Sequence, residues 1–158
     1  MTLESEDEEM RGTIVCDVTD AEEGRSAASF AHALGARLGL RIVLAFVDDL
    51  PRAARDSVTG RQRQQEARSV LANIANELGN GVELRLVAGD RAEALACVAA
   101  EEGADLVIVG ARAVGFAGRN LRCRLVRDLE AETPVPVLVA PPSTRRRSVR
   151  RLAVGTAS

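Results

Sequence analysis

Two hydrophobic periods take turns along the 158-residue chain. Residues 13–18 (TIVCDV), 41–47 (RIVLAFV), 82–87 (VELRLV), 105–109 (DLVIV) and 135–140 (VPVLVA) are short, rich in β-branched residues and bounded by glycine or polar clusters, which predicts strands. Between them apolar residues return three and four positions apart. Ala27, Phe30, Ala31, Leu34 and Leu38 form one such stripe, and Val70, Leu71, Ile74, Ala75 and Leu78 a second. Ala92, Leu95, Ala96 and Ala99 form a third, and Leu121, Leu125, Val126 and Leu129 a fourth. Each stripe gives a helix one face to bury. Gly39, the Gly79-Asn80-Gly81 run and Gly103 supply stops, and Asp90 supplies an N-cap. Residues 48–60 are polar and contain a proline, which predicts a loop with a helix following from about residue 61.

The strand patterns also carry layer information. Leu106, Val107, Ile108 and Val109 run without polar interruption, so both faces of that strand are expected to be covered, as in a parallel sheet between helix layers. Residues 82–87 interleave Glu83 and Arg85 with apolar positions, which suits a strand at a sheet edge. Strands joined by helical crossovers require right-handed connections and a doubly wound parallel α/β sheet. The chain divides into an acidic N-terminal tail over 1–12, one domain over 13–141 and an arginine-rich tail over 142–158.

Composition narrows the chemistry. Aromatic residues are 2% of the chain, with no Trp or Tyr, which weighs against stacking platforms for single-stranded nucleic acid. All 21 basic residues are arginine, which removes Walker and Schiff-base lysines. A net charge of −2 offers no general basic field to nucleic acid. Charge is instead polarised between Glu4, Glu6, Asp7, Glu8 and Glu9 at one end and Arg145, Arg146, Arg147, Arg150 and Arg151 at the other. These read as solvated tails, or as segments that attract each other or a partner's opposite tail. No stretch is apolar enough to span a membrane and the start is acidic, so the expected location is the cytoplasm. Cys16, Cys97 and Cys123 lack metal-ligand spacing and are odd in number, which suits reduced thiols. Cys16 and Cys97 are expected to be buried small hydrophobes. Cys123, among Arg122, Arg124 and Arg127, is either a packing residue or a reactive thiol. His32 is the one histidine, so neither a nucleophile–base pair nor a metal cluster can be assembled, and no catalytic residue is assigned.

Gly110 closes the fourth strand at its carboxyl end, where open α/β sheets bind ligands and a loop leading into a helix presents backbone N–H groups to anions. The segment 105–140 closely resembles the phosphate loop of the universal stress protein family, whose nucleotide-binding members carry G-x2-G-x9-G-[ST] between their last two strands. Counted from Gly110, the second glycine position holds Ala113, the third Cys123 and the hydroxyl position Arg124. Pro136, which opens PVLVA, fixes this register, and the same count from the Gly115 and Gly118 pair lands on Asp128 and Leu129. Ala113 would cost about 1 kcal/mol if φ must be positive there. Cys123 would fill the space where a phosphate oxygen meets backbone, and Arg124 attracts phosphate without reproducing a hydroxyl's close contact. The loop is therefore expected to hold no nucleotide.

The resemblance spans about residues 13–140 and is most specific over 87–112. It implies a Rossmann-like three-layer α/β/α fold of the adenine nucleotide alpha hydrolase-like type. It also implies a five-stranded parallel sheet of order 3-2-1-4-5, with the switch point between strands one and four. Members that bind ATP place an Asp after the first strand. Gap-free spacing puts Thr19 there, flanked by Asp17 and Asp20, and a two-residue shift would recruit Asp17. Val47 matches the residue whose backbone faces adenine. Residues 152–158 (LAVGTAS) resemble the opening strand of another copy, so the tail either begins a second repeat or pairs locally. The strand 135–140, with Val135 and Ala140 at its ends, is a poor solvent-facing edge, and pairing through it implies a homodimer, or a pseudo-dimer with a second copy. The implied function is a non-catalytic stress-response regulator acting through dimerisation and partner contacts, with no cofactor and no contact with nucleic acid or membrane. The alternative is a member that senses or slowly hydrolyses ATP with Mg, or binds AMP.

Overall fold

A computed structural model of the chain describes residues 12–19, 22–79, 81–110 and 118–141, with the side chains of 22–23 and 118–123 outside that description. The elements are β1 (Thr13–Asp17), α1 (Glu22–Leu38), β2 (Arg41–Asp48), the one-turn α2 (Arg52–Arg55) and α3 (Val58–Leu78). They continue with β3 (Val82–Ala88), α4 (Arg91–Glu102), β4 (Leu106–Val109), α5 (Gly118–Glu132) and β5 (Val137–Val139). All paired strands are parallel and the order is β3-β2-β1-β4-β5, as the crossover pattern and the resemblance imply.

Strand alternation splits the apolar residues into two cores. Ile14, Cys16, Ile42, Leu44 and Ile108 face α1 and α3, meeting Ala27, Ala28, Ala31, Leu71 and Ile74. Val15, Val43, Ala45, Val107 and Val109 face the other way, onto Ala92, Leu95, Val98 and Ala99 of α4 and Leu129 of α5. The central strand β1 is buried along its whole length, which is why its sequence lacks a solvent-facing polar row. Asp90 caps α4 by accepting a hydrogen bond from Glu93 N at 3.2 Å, and Gly103 closes the helix at φ 60°, both as the sequence indicates.

Three local expectations differ from the structure. The polar stretch 48–60 is not all loop, because it contains α2 and the start of α3. Ser57 accepts from Gly60 N at 3.0 Å, so α3 starts at Val58, and Gly60 is buried so closely against the backbone of Ala54 and Arg55 that a Cβ would collide. Cys97 is exposed rather than buried, because the buried stripe of α4 holds Ala94, Leu95, Val98 and Ala99 and leaves positions 93, 97 and 100 on the outer face. Leu38, at the last turn of α1, lies in solvent past the end of the sheet.

The amino-terminal half of β3 is tied to its neighbours by charge. Arg41 donates to Glu83 at 3.0 Å and to Glu102 at 2.8 Å, and Arg85 donates to Glu102 at 2.7 Å and to Glu101. These charges shield an edge strand whose outer backbone groups would otherwise be open to pairing.

Candidate functional site

The chain leaves β1 towards α1 on one face of the sheet and leaves β4 towards α5 on the other. The carboxyl ends of these adjacent strands therefore border the crevice in which doubly wound sheets bind ligands. Four residues mark the strand exits: Asp17 on β1, Val47 and Asp48 on β2, and Gly110 after β4.

Asp17 points to the α4 side with Val15 and is buried. Arg91, the first residue of α4, reaches from the β3 side to place its Nε 3.3 Å from Asp17 Oδ2, with the guanidinium-bearing side chain 25% exposed. A cation at the first position of a helix opposes the helix dipole, so this arginine needs the carboxylate. Thr19 is half-buried beneath the first turn of α1, where Gly24 comes so near its backbone and hydroxyl that no Cβ fits. Asp20 lies outside the described residues.

Backbone direction along β2 alternates. Ala45 O accepts from Val18 N at 2.8 Å, whereas Asp48 O accepts from Gly89 N at 3.0 Å. The peptide groups of Ala45 thus face β1 and those of Asp48 face β3. Val47 follows the parity of Ala45, so its N–H and C=O face the β1 side, two residues past the pairing of Asp17 with Ala45. Its side chain is buried in the α4-side core.

The Asp48 side chain lies on the α1/α3 side of the sheet, following Ile42, Leu44 and Phe46, and its residue is 4% exposed. Oδ1 accepts from Leu50 N at 3.2 Å, while Oδ2 is buried with no hydrogen-bond partner among the described residues. Neither Asp48 nor Arg91 stood out in the sequence. The available signals were a carboxylate ending an apolar strand and an arginine directly after a capping aspartate.

Beyond β4 the loop that carries Ala113 lies outside the described residues, as does the Cys123 side chain. The backbone of α5 is informative even so. The helix begins at Gly118, so Cys123 and Arg124 are in its second turn and not at the mouth of the loop. Only the N–H groups of the N-cap and of the first three helical residues lack an intrahelical acceptor, here those of residues 118–120 among the described residues. The amides of Cys123 and Arg124 are thus committed to the helix, and the Arg124 side chain is 77% exposed with Nε 3.9 Å from Asp128.

The Universal stress protein family matches residues 10–141 of the chain. The chain belongs to that family. Solved structures agree in fold. A universal stress protein in complex with cAMP superposes with a TM-score of 0.66 at 17% identity, covering 84% of this chain and 98% of its own. A universal stress family protein from Burkholderia pseudomallei gives 0.65 at 26% identity, covering 85% and 98%. The universal stress protein from Archaeoglobus fulgidus in complex with dAMP gives 0.60 at 16% identity, covering 83% and 98%. No curated protein sequence matches significantly.

As a universal stress protein domain, the molecule has its candidate ligand edge at the ends of β1, β2 and β4. Among the described residues no group of three or more His, Cys, Asp or Glu side chains is placed to hold a metal ion, and no helix is long and apolar enough to cross a membrane. The thiols follow their surroundings: burial pushes that of Cys16 up, and Glu101, which accepts its hydrogen bond at 3.4 Å, pushes that of Cys97 up.

Proposed function

We propose that this universal stress protein domain is a non-catalytic, cytoplasmic stress-response regulator that works through dimerisation and partner contacts without binding ATP. The observation that carries this reading is the early start of α5. A phosphate cradle needs free amides at the positions of Cys123 and Arg124, and these lie inside the second helical turn. Restoring glycine and serine there would not by itself free those amides. The aspartate nearest the first strand's end is also engaged, since Asp17 holds Arg91 at 3.3 Å. Both observations support a reading in which the domain holds no Mg-bound triphosphate.

Dimerisation is assigned to the β5 edge. Leu138 is 37% exposed on a three-residue strand, and pairing with the same strand of a second subunit about a two-fold axis would cover it. A following copy in the same polypeptide would do this as a pseudo-dimer, with residues 142–158 as the linker.

The second reading is a nucleotide-binding member. It is favoured by the cAMP and dAMP complexes of the structural relatives and by the direction of the Val47 peptide groups. Thermal unfolding with millimolar Mg-ATP, together with native mass measurement, separates the two. The expected result is an unchanged midpoint and a dimer. Ligand at 100 times its Kd would add about 2.7 kcal/mol, so a rise of several degrees would establish the second reading instead.

A further inference from the structure

We propose that a basic surface on α2 and the start of α3 docks an acidic segment, residues 4–9 of a second copy of this chain. The inference goes beyond the reading above and requires neither the β5 contact nor an empty nucleotide crevice.

The stretch after β2 holds cations that the fold does not match. Arg52 and Arg55 are three residues apart on α2, and Arg61 and Arg68 seven apart on α3, so each pair shares a helix flank. Arg52, Arg61 and Arg68 are exposed and Arg55 is half-buried. Arg41, Arg85 and Arg91 each hold carboxylates, and Arg63 is 3.8 Å from Asp49. Arg52, Arg55, Arg61 and Arg68 have no carboxylate within ion-pairing distance among the described residues. The first turn of α3 holds no acidic residue, so the partial positive charge of its amino end adds to the same field. Gly60 keeps α2 pressed against α3, because a Cβ there would collide with the backbone of Ala54 and Arg55. Val58, 77% exposed, lies between the two arginine pairs in the chain and gives the surface an apolar residue. Guanidinium groups around an apolar side chain suit a segment in which carboxylates adjoin apolar residues.

The chain carries such a segment. Residues 4–9 contain Glu4, Glu6, Asp7, Glu8 and Glu9, bracketed by Leu3 and Met10. Its charge complements the unmatched arginines, and either flanking residue can cover Val58. Within one molecule the segment joins β1 at Gly12, at the amino end of the sheet, whereas α2 follows the carboxyl end of the parallel strand β2. A second copy presents it without that detour, and two copies can exchange segments reciprocally. Nucleic acid is the poorer match, because residues 49–69 contain no aromatic side chain and the chain has a net charge of −2.

The Val58 methyl resonances of the isotopically labelled full chain report on this surface. In about 0.05 M salt they are expected to move with protein concentration, and about 0.5 M salt should weaken the association at least tenfold by screening exposed ion pairs. Arg52→Glu with Arg61→Glu reverses the surface, and Glu4→Arg with Glu6→Arg and Glu8→Arg reverses the segment. Each reversed chain alone is expected to lose the concentration dependence. An equimolar mixture of the two should regain it, since both surface and segment pairs are then complementary again. A silent mixture overturns the proposal, as do parent resonances that ignore concentration. Resonances that shift on reversing the segment without depending on concentration mark a contact within one molecule and overturn the second copy. A short oligothymidylate strand that moves them at lower concentration than the chain itself does assigns the surface to nucleic acid instead. If the surface-reversed chain does not fold, concentration dependence retained in the segment-reversed chain still overturns the proposal, and its loss supports it. Repeating the series in Leu138→Arg keeps a failure of the β5 contact distinct from a failure of this one.

Discussion

Replacing Arg91 by methionine keeps much of the side-chain volume and removes the charge that faces Asp17. At 3.3 Å the attraction is about 5 kcal/mol for an effective dielectric constant of 20. Two features reduce it. The Arg91 side chain is 25% exposed, so water screens part of the field, and its Nε makes no hydrogen bond with the carboxylate in spite of the short distance. A net loss of about 2 kcal/mol is expected, below the full 3–5 kcal/mol range for breaking a buried pair. For a domain of this size that lowers the melting midpoint by about 7 °C. The assay is urea unfolding of the parent, Asp17→Asn, Arg91→Met and the double variant. Because Arg91→Met removes the cation facing a buried carboxylate, whereas the double variant removes both charges of the pair, the double variant should be the more stable of the two. A coupling energy of about 1.5–2.5 kcal/mol is expected. Coupling below about 0.5 kcal/mol, or a double variant less stable than Arg91→Met, would refute the claim that this pair holds α4 to β1.

Gly60→Ala drives a methyl group into the backbone of Ala54 and Arg55 and should cost about 1–3 kcal/mol in urea unfolding; a loss under 0.5 kcal/mol would show that α2 yields freely. Thiol labelling of the native protein should leave Cys16 unmodified until unfolding, since its thiol is buried and pushed up. Cys97 should label slowly near pH 8 in spite of its exposure, and Glu101→Gln should speed it several-fold by removing the acceptor and charge that raise its thiol. Equal rates in the two proteins would remove Glu101 as the cause. Leu138→Arg should convert the proposed dimer to monomer at micromolar concentration with the melting cooperativity kept, as read by sedimentation velocity. A dimer that survives this change is held together by another surface.

Much of the scaffold was legible because it is encoded between near neighbours. The period of Ala92, Leu95, Ala96 and Ala99, the cap at Asp90 and the stop at Gly103 involve residues within one helix, and each can be read along the chain. The unbroken run Leu106–Val109 announced a strand covered on both faces, and Glu83 and Arg85 announced an edge. The family resemblance supplied the strand order, which periodicity alone leaves open. Boundaries were less secure. One hydrogen bond from Gly60 N to Ser57 moved the start of α3, and the phase of α4 turned Cys97 outward.

The sequence by itself therefore determined the alternation of strands and helices and the family, since both are written in local spacing. Tertiary structure alone decided that Arg91 meets Asp17, that Asp48 carries a buried oxygen without a donor among the described residues, and that Arg124 points into solvent from a helical turn. These outcomes depend on which strand ends the parallel sheet brings side by side and where a helix begins. Residues distant in the chain become partners there only after the crossovers have closed.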